Sequence, residues 1–163
     1  MIPDICKIMS PYKEFQFSWL IFFCMVPAEL VIIYLFVFQM GDRPLDMIIF
    51  LFISAIILLS YALFYGMATY VDDYQILVSF GIGLIRKRIN ISNVERMNVV
   101  TNPWYYGWGI RFIPHGMLYN ISGWQALELK FKGENRTLRI GSKDPMQLMN
   151  EINKRMKNEL PNL

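Results

Sequence analysis

Residues 17–38, FSWLIFFCMVPAELVIIYLFVF, and residues 47–65, MIIFLFISAIILLSYALFY, decide how this chain is built. A helix rises about 1.5 Å per residue and the hydrocarbon core of a bilayer is about 30 Å thick, so roughly 20 apolar residues suffice to cross it. The first run is interrupted only by Ser18, Pro27 and Glu29, and the second carries no charge. Between them lies the short polar break Met40-Gly41-Asp42-Arg43-Pro44. The two runs read as a transmembrane hairpin within a unit of residues 1–66, and residues 67–163 as a second, tethered unit. A cleaved signal peptide explains the first run poorly, because it is too long, no small-residue cleavage site follows, and a second apolar run comes almost at once.

Charge separates the same two units. The first carries Lys7, Lys13 and Arg43 against Asp4, Glu14, Glu29, Asp42 and Asp46, whereas the second has thirteen Lys or Arg against eight Asp or Glu. A basic domain tethered beside a bilayer suits anionic headgroups, although a modest surplus also serves solubility. Two spans leave both termini on one side. Lys7 and Lys13 before the first span, and Arg86, Lys87 and Arg88 after the second, outweigh Arg43 in the loop, so the expected location is a cell membrane with both termini cytoplasmic. Residues 1–16 then read as a short lead into the bilayer. The two cysteines, Cys6 and Cys24, have no metal-ligand or redox spacing, and no cofactor is implied.

Glu29 falls near the middle of the first span, two residues after Pro27. An acidic group there costs about 2.5–3.5 kcal/mol on insertion scales, against roughly 0.3–0.6 kcal/mol gained per Leu, Ile, Phe or Val, so the span still inserts. In an antiparallel hairpin its nearest polar candidates are Ser54 and Ser60.

From residue 67 the hydrophobic period changes from helical to two. Ala126-Leu127-Glu128-Leu129-Lys130-Phe131-Lys132 alternates without a break, Gly133-Glu134-Asn135 supplies a turn, and Thr137-Leu138-Arg139-Ile140 alternates again. Short β-type runs at 67–71, 76–80, 84–90, 96–101, 109–113 and 118–122 precede this hairpin, and together they predict a mostly antiparallel sandwich or small barrel. The end of the chain differs. Asp144 suits an N-cap, Pro145 the first helical position and Gln147 a capping box, which predicts a helix over 145–159. Its apolar stripe is Met149, Ile152, Met156 and Leu160, and Glu151, Lys154, Arg155 and Lys157 should face water.

Gly107-Trp108-Gly109-Ile110-Arg111, Tyr119-Asn120-Ile121-Ser122-Gly123, Leu127-Glu128-Leu129 and the run Arg139-Ile140-Gly141-Ser142-Lys143-Asp144-Pro145 follow one another through most of residues 67–157. In this order, behind two spans, they resemble the bacterial membrane proteins that carry a pleckstrin-homology-like domain. The resemblance implies a curved β barrel or sandwich closed by the C-terminal helix. Eukaryotic relatives of that fold bind inositol phosphates around the loop joining their first two strands. The corresponding turn here, Asp72-Asp73, is acidic and would repel phosphate.

Catalytic chemistry finds little footing. His115, the single histidine, lies between Pro114 and Gly116 in an expected turn, Ser122 lacks a nucleophile elbow, and Gly81-Ile82-Gly83 reads as a hairpin turn rather than a phosphate loop. The basic residues are scattered and match no nucleic-acid motif. The candidate contact residues are the aromatic stretch Trp104, Tyr105, Tyr106 and Trp108, together with Arg86 and Arg88, which alternation sends to one face of a strand and Lys87 to the other. Four large rings in a loop bracketed by Pro103 and Gly107 suit a protein partner or the headgroup zone, while Trp108 could instead plug the end of a barrel. The sequence thus leads to a non-enzymatic, membrane-anchored interaction or scaffold module that contacts membrane lipids, another membrane protein or a second copy of itself. The alternative is a small oligomeric transport or channel-like component that uses Glu29.

Overall fold

The computed structural model describes residues 12–40 and 44–159. It opens on a strand, β1 (Tyr12–Phe17), where the sequence reads as a lead into the bilayer; residues 1–11 lie outside the described residues. Two helices follow, α1 (Trp19–Phe38) and α2 (Met47–Phe64), and then strand β2 (Gly66–Val71). β1 and β2 pair antiparallel from Tyr12↔Val71 to Phe17↔Gly66, and the Ser18 amide donates to the Tyr65 carbonyl at 2.9 Å. The helical pair therefore replaces the tip of a β-hairpin. Both of its outer ends leave the same end of the β-domain. α1 begins at Trp19 rather than at residue 17 because Phe17 still belongs to the ladder and Ser18 is the N-cap, its Oγ accepting from the Ile21 amide at 3.4 Å.

Both helices are long and apolar enough to cross a membrane. They pack on each other, with the Phe36 and Phe50 rings stacked 4.2 Å apart, yet Ser54 is the only residue of either helix that is buried. The helix of a soluble core has the opposite character, with most of its apolar side chains inside.

β3 (Gln75–Phe80) and β4 (Ile85–Asn90) complete a four-stranded meander in the order β1-β2-β3-β4. The 3-10 turn Ile91–Asn93 then carries the chain into a five-stranded sheet of order β5-β8-β9-β7-β6, formed by β5 (Val94–Thr101), β6 (Gly109–Ile113), β7 (Gly116–Asn120), β8 (Gln125–Phe131) and β9 (Thr137–Gly141). The expected barrel is not closed. β4 and β5 are consecutive but unpaired, because the chain changes sheet at Ile91–Asn93, and the result is two facing sheets. One pair, β7 with β9, is parallel, since the β6–β7 hairpin lies on the far side of β9 from β8. Asp72-Asp73 consequently joins the second strand to the third, and the helical hairpin joins the first two.

The inner faces of the two sheets share one core, with Met67, Ile76, Val78 and Phe80 from the first meeting Tyr119, Leu127, Leu129 and Ile140 from the second. Each fully buried Val, Leu or Ile contributes about 1.5–3 kcal/mol relative to exposure. α3 (Pro145–Glu159) packs on β5 and β8, and its Asp144 cap accepts from the Gln147 amide at 2.9 Å. Its buried stripe is Leu148, Ile152 and Arg155, with Met149 and Met156 alongside; Leu160 lies outside the described residues. Arg155 is thus a correction to the expected water-facing charges. It is 2% exposed and its Nη1 donates to both the backbone carbonyl and Oε2 of Glu151 at 2.8 Å, so its charge is paired one turn back along the helix.

Polar hooks bind β1 to the other sheet. Glu14 accepts from Ser142 Oγ at 2.7 Å and from the Lys143 amide at 2.6 Å, and Gln16 Nε2 donates to the Gly141 carbonyl at 2.8 Å while its Oε1 accepts from Ser122 at 3.1 Å. Beside them the Tyr12 hydroxyl donates to Glu14, and burial followed by the Glu14 charge pushes the phenol pKa up.

Candidate functional site

The sandwich has two unlike ends. Gln16 stands three residues before the start of α1 and bonds to Gly141 and Ser122, so the end of the second sheet that holds Thr101, Gly109, Asn120 and Gln125 lies beside the helices. Ring contacts from Phe64 to Phe80 and from Phe80 to Tyr119 mark the same end within the core. Asn90, Val94, Gly116 and Thr137 lie at the opposite end.

The aromatic loop springs from the helix end. Asn102 is buried, its amide donates to the Trp124 carbonyl at 2.7 Å, and its Oδ1 accepts from Arg139 Nη1 at 3.1 Å. Arg139 is also paired with Glu128 at 2.7 Å and lies 5.8 Å from the Tyr106 ring, so one guanidinium ties β8, β9 and the loop together. Trp104–Tyr106 forms a single 3-10 turn between Pro103 and Gly107. This support divides the four rings. Tyr106 and Trp108 fold back half-buried, Trp108 against Trp124 at 5.0 Å, whereas Trp104 and Tyr105 are 78% and 66% exposed. Trp124 belongs to the same cluster and escaped the sequence reading, because a lone Trp after a glycine carries no pattern.

Arg86 and Arg88 are exposed on the outer face of β4, opposite Ser79 and Leu77, and Lys87 points to the inner face. Arg86 bends toward the helices and donates through Nε to the Gly83 carbonyl. Lys87 and Arg88 instead border an open cleft of about 710 Å³ between β4 and the β6–β7 and β8–β9 turns, at the end away from the helices. Its floor is apolar, with Ile89, Met117 and Leu138, and its rim adds His115 and Arg136 against a single carboxylate, Glu134. Phe112, 89% exposed, stands at the cleft mouth. His115 occupies the β6–β7 turn at a φ of 88°.

In the helical pair, the Ser18–Tyr65 bond and the Phe36–Phe50 stack bring Glu29 level with Ile56 and its neighbours, between Ser54 and Ser60. Glu29 Oε2 and Ser54 Oγ are both buried without a hydrogen-bond partner among the described residues, and Ser60 is half-buried. No group of three or more His, Cys, Asp or Glu among the described residues is placed to hold a metal ion. No protein-family model, curated protein or solved structure matches the chain.

Proposed function

We propose that the chain is a non-enzymatic, membrane-anchored interaction module of pleckstrin-homology-like character, whose β-domain rides on the bilayer its own helices cross. One observation carries this reading: two paired neighbouring strands run straight into two apolar helices of which only Ser54 is buried. An apolar surface of that size is not tolerated in water. The aromatic loop agrees, because Trp104 and Tyr105 project from the end of the sandwich beside the helices, at the depth where amphipathic rings favour the headgroup zone. The opposite end, with its basic rim over an apolar floor, is suited to an acidic segment of a protein partner. Two sheets and a C-terminal helix fit the resemblance, while the parallel β7–β9 pair and the open seam depart from it.

Reporter fusions at the N-terminus, near Arg43 and at the C-terminus should read inside, outside, inside, and the protein should resist extraction by alkaline carbonate. A soluble full-length protein would end this reading. For the cleft, a photocrosslinker at Phe112 should capture a partner whose crosslinked segment is acidic, and Lys87→Glu with Arg136→Glu should abolish the capture.

A second reading keeps Glu29 as a working group in an oligomeric transport or channel-like assembly. It is favoured by the two orphaned polar atoms, Glu29 Oε2 and Ser54 Oγ, which two helices alone leave unsatisfied. Glu29→Gln retains the hydrogen-bonding capacity and removes the proton site, so loss of ion flux with assembly intact would support it.

A further inference from the structure

We infer that the β3–β4 turn, residues 81–84, is a third point of immersion in the bilayer, at which Ile82 and Leu84 enter the lipid beside α2. The inference rests on the reading that α1 and α2 span the membrane. Helix α2 ends at Phe64 and must leave its last carbonyls without intrahelical donors. The Ile82 amide fills one of those vacancies by donating to the Ala62 carbonyl at 3.0 Å, and the Gly81 amide donates to Gly66 at 2.8 Å. The turn is therefore seated on the end of a lipid-facing helix. Ala62 lies three residues before Tyr65, a rise of about 4.5 Å toward the bilayer centre.

Gly81 makes the seat possible. Its φ is 49°, and a Cβ there would overlap the carbonyls of Ala62 and Leu63, so any other residue would push the turn off the helix. The two side chains that the turn presents are apolar and outward, Ile82 at 59% and Leu84 at 71% exposed, where hairpin tips in water are ordinarily polar. Arg86, curled back on the Gly83 carbonyl, lays a cation against the turn between them, within reach of the phosphate groups that a shallow insertion meets. Apolar tip, neighbouring helix and adjoining cation together suit the boundary between acyl chains and headgroups. With the helix pair and the aromatic loop, the turn would define a plane and hold the cleft toward the aqueous side.

The test uses the full chain with Cys6→Ser and Cys24→Ser, reconstituted in phosphatidylcholine–phosphatidylglycerol vesicles that contain acyl-brominated lipid. An environment-sensitive fluorophore is attached in turn at Ile82→Cys, Leu84→Cys, Leu58→Cys in the second span and Glu134→Cys at the far end. The labels at positions 82 and 84 should be quenched to within about twofold of the label at 58, as expected for shallow burial beside a span, with position 134 unaffected. Gly81→Ala should reduce quenching at 84 while that at 58 persists. Labels at 82 and 84 that behave like position 134 overturn the inference and leave the spanning helices standing. Labels that are shielded but unquenched mean that protein, not lipid, covers the turn, and also overturn it. If position 58 is not quenched, the spanning reading fails and the inference falls with it.

Discussion

The two ends of the sandwich present different surfaces. Beside the helices the exposed side chains include Trp104, Tyr105, Ile82 and Leu84, with Arg86 folded among them and Lys143 nearby. At the other end the rim carries Lys87, Arg88, His115 and Arg136 with Glu134, and Phe112 is the one large apolar side chain exposed at its cleft. On the proposed reading the first end meets the bilayer and the second meets water. The core between the two ends is common to both, so substitutions there should be indifferent to lipid and substitutions at the ends should not.

Leu129→Asp should have the largest effect. It places a charge among fully buried neighbours from both sheets, a cost of several kcal/mol that exceeds the margin of a small domain, and it should abolish the cooperative thermal transition with or without vesicles. Retention of a sharp transition would mean that the two sheets do not share a core. Glu14→Ala comes next. It strips acceptors from Ser142, the Lys143 amide and Tyr12, and at about 0.5–1.5 kcal/mol per bond plus the orphaned donors it should cost roughly 2–4 kcal/mol by chemical denaturation. For the same reason residues 67–163 expressed alone should be less stable than the domain that retains β1, and equal midpoints would deny β1 its place.

Trp104→Ala and Tyr105→Ala sharpen the comparison from the other side. Both side chains are exposed, so the stability should change by less than about 0.5 kcal/mol, while the tryptophan emission shift on addition of lipid should shrink. A loss of the roughly 3–5 kcal/mol typical of emptying a buried aromatic site would return the loop to the core.

The smallest effect concerns Glu151. Hydrogen bonds from Lys154 and then Arg155 hold its carboxyl below the ordinary glutamate value of 4.5. A depressed acid pKa stabilises the fold above the unfolded value and ceases to do so as pH falls through the folded one. The stability of the native chain relative to Glu151→Gln should therefore be constant at neutral pH and decline only below about pH 4.5. A difference that grew toward alkaline pH would contradict the pairing.

Legibility in the sequence followed the chemistry of the inward face. β8 and β9 are plain because Leu127, Leu129, Leu138 and Ile140 alternate with polar residues, and α3 is plain because Asp144 and Gln147 mark its start. β1 is not, since the side chains it turns inward are Tyr12, Glu14 and Gln16, and the burial of Glu14 and Gln16 is compensated by partners more than 100 residues away. Arg155 is hidden differently, as a charge on the buried stripe whose partner lies one turn back on the same helix. The open seam follows from the Ile91–Asn93 turn, whose sequence does not distinguish a change of sheet from a hairpin. Of the surfaces, the aromatic loop stood out by composition. Ile82 and Leu84 did not, because their meaning depends on the Ala62 carbonyl far away in the chain.

The most direct measurement replaces residues 19–64 by Asn-Gly, which joins the paired ends Phe17 and Gly66 through a hairpin turn, and compares the product with the full chain by alkaline carbonate extraction and circular dichroism. The full chain should remain in the membrane pellet, and the shortened chain should be released as a soluble, β-rich domain with a cooperative melt. An unfolded or aggregated product would show that the helices belong to the domain's own core, and a full chain released by carbonate would show that they do not span a bilayer.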